Sequence, residues 1–263
     1  MSGPRTTVIR LDVTTIALVL AIVLLGLVMV TSASVSIAAR EGGDPFLFLE
    51  RQLVLTLVGA ACAALMFCVR TELLARAGVP LLVLAVLLLI AVLIPGVGHE
   101  VNGSRRWLRV GSFNFQVSEL ARVLVLIYLA SYAVRREAEL RGTLVGLAKP
   151  LAVLMGVGAL LLAEPDFGAA TVLFAAGFGV LFLAGARLRY VLAMTAVAAT
   201  TFALLAVTSG YRMRRLLAFL DPWADPYNSG FQLTQSLIAI GRGEWFGVGL
   251  GESVQKQIGR AHV

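Results

Sequence analysis

Charge is what this chain has least of. Asp, Glu, Lys and Arg make up 14% of its 263 residues, where soluble chains carry nearer a quarter. Cysteine is almost absent. Cys62 and Cys68 lie six apart, on neither an i+3 nor an i+4 helical spacing, with no histidine nearby. They read as small apolar packing residues rather than a redox or metal pair. With 59% hydrophobic residues and a mean hydropathy of +0.90, a soluble domain of this size could not cover its own apolar surface. Soluble classes are excluded.

What is there instead is a series of apolar blocks. A membrane span needs roughly 20 predominantly apolar residues, and seven blocks approach that: Thr14–Ala33, Leu53–Val69, Val79–Ile94, Leu120–Val134, Leu144–Ala163, Phe167–Ala184 and Tyr190–Val207. The third and fourth are short, so their ends are expected in the flanking loops. Backbone groups in lipid must be satisfied within the segment, which makes spans this apolar helices rather than barrel strands. The first block follows Arg5 and Arg10 but is longer than a signal-peptide core, so it reads as a retained span. The expected fold is all-α: a polytopic transmembrane helical bundle.

A cytoplasmic N-terminus places Arg70, Arg76, Arg135, Arg136, Arg141, Lys149, Arg187 and Arg189 on the inner side, as the positive-inside rule asks. Two outer segments break the rule. They are Arg105, Arg106 and Arg109 between spans three and four, and Arg212, Arg214 and Arg215 after span seven. Such residues either snorkel toward headgroups or form a cationic pocket for an anionic lipid headgroup, since arginine forks suit phosphate oxygens.

Polar residues also occur where they are costly. Glu119 and Arg122, three apart at the start of span four, share a helix face and can pair. The pair either orients the helix at the membrane boundary or points into a wet cavity. Glu164-Pro165-Asp166-Phe167-Gly168 leaves no room for a long loop. It reads as a tight outer turn whose acids face water, against a second reading as a metal or substrate site. Past Val207 the apolar pattern stops, and Thr208–Lys256 reads as a large extracytoplasmic loop. It carries aromatics and two Asp-Pro steps, Asp221-Pro222 and Asp225-Pro226. A loop this long is commonly a binding loop or lid, and the backbone before each proline is held extended. This segment is the best candidate for a reaction centre.

Together, Asn102–Leu108, Phe115–Arg122, Glu164–Gly168 and above all Asp221–Lys256 resemble the SEDS family (shape, elongation, division and sporulation). Asp225–Ser236 and Gly241–Lys256 look like its cell-division branch. The sequence departs from the family's pattern at Val117, where the family has proline, and at Arg122, where it has lysine.

The resemblance implies a peptidoglycan glycosyltransferase that polymerises lipid II at the division septum of the bacterial inner membrane, with inversion at the anomeric carbon. A lipid II flippase and a non-catalytic division scaffold are the competing functions. The family's essential aspartate maps onto Asp225, as general base or as ligand to Mg²⁺ or Mn²⁺. Substrate contacts are expected from Arg105, Arg106, Arg109, Glu119, Arg122, Arg212, Arg214, Arg215, Gln232 and Gln235. The expected partners are lipid II, a class B penicillin-binding protein and other division proteins. About seven spans are read here against about ten in complete members. Residues 1–257 form the SEDS-type membrane domain, and 258–263 (Ile258-Gly259-Arg260-Ala261-His262-Val263) read as a non-native tail.

Overall fold

The computed structural model describes residues 12–40, 44, 46–101, 104–110, 113–207, 213 and 217–249. It divides into two compact units, Phe67–Thr208 and a second made of Met1–Met66 with Ser209–Val263.

The second unit contains helices α1 (Val13–Arg40) and α2 (Leu47–Cys68), the latter running two residues past its boundary. Each carries an apolar stretch of span length, Val13–Ser34 in α1 and Leu47–Cys68 in α2. Cys62 and Cys68 lie exposed on α2 rather than packed inside the protein, so the packing role read from sequence does not hold. After residue 217 a short helical turn leads into the Asp221–Gly230 loop and then α9 (Phe231–Gly243). The segment expected to be one long loop therefore contains a helix.

The Phe67–Thr208 unit begins with α3 (Thr71–Leu93). A three-stranded antiparallel sheet follows: β1 (His99–Val101), β2 (Ser104–Val110) and β3 (Phe113–Gln116). Then come α4 (Val117–Arg135), α5 (Glu137–Gly142), α6 (Leu144–Ala163), α7 (Phe167–Leu183) and α8 (Leu188–Val207). All seven apolar blocks fall in helices. Among the described residues five helices are long and apolar enough to span a bilayer, and α7 and α8 supply shorter apolar stretches. The third and fourth blocks do not end in loops: α3 starts at Thr71 rather than Val79, and α4 at Val117 rather than Leu120. Short polar first turns, such as Thr71–Glu72, are invisible to a hydropathy count yet continue the helix.

α4 is the hub, packing on α3, α6 and α7. Its core face carries Ala121, Leu124, Val125, Tyr128, Leu129 and Tyr132. Close approach of α3 is possible because Gly78 leaves room for Ser131, whose hydroxyl donates to the Ala75 carbonyl at 2.6 Å. Gly158 likewise faces the Phe174 ring, where an added Cβ would come within 2.5 Å. Small residues that let helices approach are the usual device of packing in lipid. Pro150 lies inside α6 and has no N–H to offer the Gly146 carbonyl four residues back. The Tyr132 hydroxyl donates to that carbonyl instead, at 2.7 Å. The chain is a polytopic helical membrane protein.

Candidate functional site

The sheet between α3 and α4 was not foreseen. Its signal is in the sequence: Asn-Gly, here Asn102-Gly103, is a preferred dipeptide for a two-residue hairpin connection, and Val101 pairs with Ser104. From sequence the arginines show as charge and not as a strand pattern. Alternation along β2 now separates them. Arg105 and Arg109 point to one face, Arg106 and Leu108 to the other. Arg105 pairs with its cross-strand neighbour Glu100 at 3.3 Å. Arg109 is exposed. Arg106 turns inward, where its Nη1 lies 3.6 Å from Asp166 Oδ2.

Asp166 sits in the three-residue turn between α6 and α7 and is 5% exposed. Its Oδ1 accepts the Ala169 amide at 3.0 Å, capping α7. Its Oδ2 accepts the Ser118 hydroxyl at 3.1 Å and the Gln116 side-chain amide at 3.3 Å. Glu164, two residues earlier, is fully buried. Burial and the neighbouring Asp166 charge push its carboxyl up to about 8, against the opposing pull of Arg106. The turn predicted from sequence is there, but its acids face the protein and not water. Proline and glycine chemistry fixes that a chain turns, whereas burial follows from Arg106, Ser118 and Gln116 arriving from elsewhere.

Glu119 and Arg122 form the i,i+3 pair their spacing allows, at 2.7 Å. Arg122 is mostly buried and Glu119 more than half exposed, so the pair lies at the rim of α4.

The second group stands in the Met1–Met66/Ser209–Val263 unit. The Asp225 carboxylate accepts from Asn228 Nδ2 at 3.0 Å, from the Ser229 amide at 3.2 Å and from the Ser229 hydroxyl at 2.9 Å. The Asn228 bond first, then the two from Ser229, hold its carboxyl below the usual carboxylate range. The loop is clamped at its far end. The Gly230 amide donates to Asp225 O at 3.0 Å, and buried Thr234 donates to Gly230 O at 2.6 Å. Any side chain at Gly230 would run into the Pro222 carbonyl. Among the described residues the Asp221 carboxylate, by contrast, receives only the Trp223 amide, at 3.2 Å in a local turn.

A shallow cleft of about 320 Å³ opens beside this loop, lined by Ser229, Gln232, Leu233 and Ser236 among others. Gln232 is therefore placed at the cleft. The Gln235 Oε1 is buried with no hydrogen-bond donor among the described residues. Arg212, Arg214 and Arg215 lie outside the described residues, as does the 258–263 tail. Among the described residues no three acidic, histidine or cysteine side chains converge as an all-protein metal cage. A second cavity of about 350 Å³, between α6, α7 and α8, is lined by apolar side chains and Thr201 and offers no chemistry.

Residues 12–261 match the model of a family described as cell cycle protein, FtsW/RodA/SpoVE. The chain is 54% identical to a probable peptidoglycan glycosyltransferase FtsW of Thioalkalivibrio sulfidiphilus and 56% identical to that of Alkalilimnicola ehrlichii. Each match covers 94% of this chain but 62% of the relative, so the chain spans about three-fifths of the length of these curated relatives. Among solved structures, one describing the structural coordination of polymerization and crosslinking by a peptidoglycan synthase complex is similar. The TM-score is 0.69 and the identity 36%, covering 88% of this chain and 66% of that one. The rod shape determining protein RodA of Thermus thermophilus is similar at a TM-score of 0.63 and 28% identity, covering 94% and 93%.

Proposed function

We propose that this chain, which belongs to the FtsW/RodA/SpoVE family of cell cycle proteins, acts in an FtsW-type peptidoglycan glycosyltransferase. The substrate is lipid II, polymerised into glycan strands on the outer face of the inner membrane at the division septum. The supporting partner is a class B penicillin-binding protein, in keeping with the peptidoglycan synthase complex among the similar structures. The observation that carries the reading is the Asp225 loop, set in a chain more than half identical to curated relatives named for this activity.

In the reaction the 4-hydroxyl of one sugar attacks the anomeric carbon of the growing chain. Undecaprenyl pyrophosphate departs and the configuration inverts. Asp225, ionised and oriented by Asn228 and Ser229, is the carboxylate assigned to the attacking hydroxyl. Its depressed pKa makes it a weak resting base, so proton transfer is expected late, as the new bond forms. The same carboxylate fits a divalent cation, because Mg²⁺ is commonly held by one or two carboxylates with phosphate oxygens and water completing the shell. Asp225 would hold the ion, which when bound supplies positive charge to the leaving pyrophosphate. Arg105, Arg106, Arg109, Arg122 and the Arg212–Arg215 segment are expected to contact the anionic groups of the substrate, Glu119 pairs with Arg122, and Gln232 and Gln235 are further expected substrate contacts.

The test is polymerisation of labelled lipid II by the intact protein with its partner. Asp225→Asn keeps size and hydrogen-bonding capacity but removes the charge, and should lose about 10²–10⁴ in rate. Asp221→Asn, in the same loop beside its own proline, should retain activity. A parental rate for Asp225→Asn would overturn the assignment. It would also favour the flippase or scaffold reading, in which that carboxylate does no chemistry.

A further inference from the structure

We infer that Asp166 is a positioning residue for Arg106, holding that guanidinium as the preset donor of an anion site at the sheet end of the helical unit. The inference rests on the reading of this end as the phosphate side of the site. Four elements meet on one carboxylate: β2 through Arg106, β3 through Gln116, α4 through Ser118 and α7 through the Ala169 amide. The partners lie far apart in sequence, 48 residues for Ser118 and 50 for Gln116. No local turn rule would bring them together.

The division of contacts on Asp166 is informative. Three of its roughly four acceptor positions are taken by Ser118, Gln116 and the Ala169 amide, while Arg106 stands at 3.6 Å, beyond hydrogen-bond range. The carboxylate therefore holds Arg106 by charge rather than by a hydrogen bond. The Arg106 Nε is buried without an acceptor among the described residues, while 31% of the side chain stays exposed. A purely structural arginine would close a fork on the carboxylate. This one keeps donors in reserve behind an open edge. A phosphate or pyrophosphate oxygen reaching that edge meets a guanidinium already oriented and partly desolvated, so little ordering remains to be done on binding. On the opposite face Arg105 is committed to Glu100 by a hydrogen bond at 3.3 Å and Arg109 is exposed, which makes Arg106 the arginine of the cluster set for recognition.

Asp166 also caps α7, so a loss of function alone would not separate positioning from folding. A double-mutant cycle does. The intact protein with its partner is assayed for the KM of lipid II and for inhibition by inorganic pyrophosphate, with thermal stability measured alongside. Asp166→Asn keeps an oxygen for the cap and removes the charge. We expect it to raise KM and weaken pyrophosphate inhibition about tenfold, the scale of one charge-assisted hydrogen bond. Arg106→Ala should do the same. In the Arg106→Ala background Asp166→Asn should add nothing to either readout.

Equal losses from Asp166→Asn in both backgrounds would mean a structural role and overturn the inference. Full pyrophosphate inhibition in Arg106→Ala would overturn it as well. If Asp166→Asn fails to accumulate, Ser118→Ala removes a support of Asp166 without touching Arg106. It should weaken pyrophosphate inhibition only where Arg106 is present, and the same loss without Arg106 refutes positioning. Failure of the glycosyltransferase reading shows separately, as parental polymerisation by Asp225→Asn.

Discussion

Glu164 and Asp225 are both carboxylates beside a proline, and their surroundings drive them in opposite directions. Burial next to Asp166 raises Glu164 from 4.5 to about 8. The folded protein thus holds a proton that the unfolded chain releases near pH 4.5, so folding is favoured most below that pH. That contribution should be lost progressively as pH rises toward about 8. Thermal unfolding in detergent across this window should show the slope, and Glu164→Gln should flatten it. An unchanged slope in the Gln variant would mean that the group stays charged.

Asp225 is held down by Asn228 and Ser229, so it is ionised throughout the neutral range. Its protonation should limit the reaction only in acid, below its ordinary value of 3.8. Removing the donors with Asn228→Ala and Ser229→Ala should move the acid limb of the pH–rate profile upward. A profile identical to the parent's would show that these bonds do not set the carboxylate's ionisation in the working enzyme. The residue types at both sites could be read from sequence. Their opposite environments could not, because Glu164 is buried, and meets Arg106 of β2, only in the folded chain.

At the scale of elements, the helices were legible because hydrophobic run length is a local property. The Glu119–Arg122 pair was legible for the same reason, since i,i+3 neighbours meet on any helix. The sheet was harder. Its hairpin turn was visible as Asn102-Gly103, but β2 carries three arginines where a strand ordinarily shows β-branched or aromatic residues. The link between α4 and α6 makes a sharper test. Tyr132 donates to the Gly146 carbonyl that Pro150 leaves without a partner. Tyr132→Phe should destabilise the protein by about 1–3 kcal/mol, the scale of an unsatisfied buried polar group. In a Pro150→Ala background the helix regains its own N–H, and the same substitution should cost much less. Equal losses in both backgrounds would show that Tyr132 matters for packing and not for the carbonyl.

For the molecule as a whole, the arrangement within Phe67–Thr208 sorts charge by end. The sheet and the Glu164–Asp166 turn share one end. At the other, Arg136, Arg141 and Lys149 pair with Glu137 and Glu139 of α5, and Arg141 Nε reaches the Ala184 carbonyl. The positive-inside bias makes a cytoplasmic α5 end the expectation to be tested. Cysteine at exposed Ala138, in a background lacking Cys62 and Cys68, should resist an impermeant thiol reagent on intact spheroplasts. Cysteine at Ser229 should react. Labelling of position 138 with protection of 229 would reverse the orientation.

The sequence by itself determined the class of molecule, the number and place of the apolar helices and the family. Each rests on runs and motifs that need no partner elsewhere in the chain. Tertiary structure alone decided that Arg106 parts from Arg105 and Arg109, that Asp166 gathers four elements and that Glu164 is sealed from water. Those outcomes depend on strand pairing and on contacts between residues some 50 positions apart. Their free energy is realised only when the helices pack, and no local pattern encodes it.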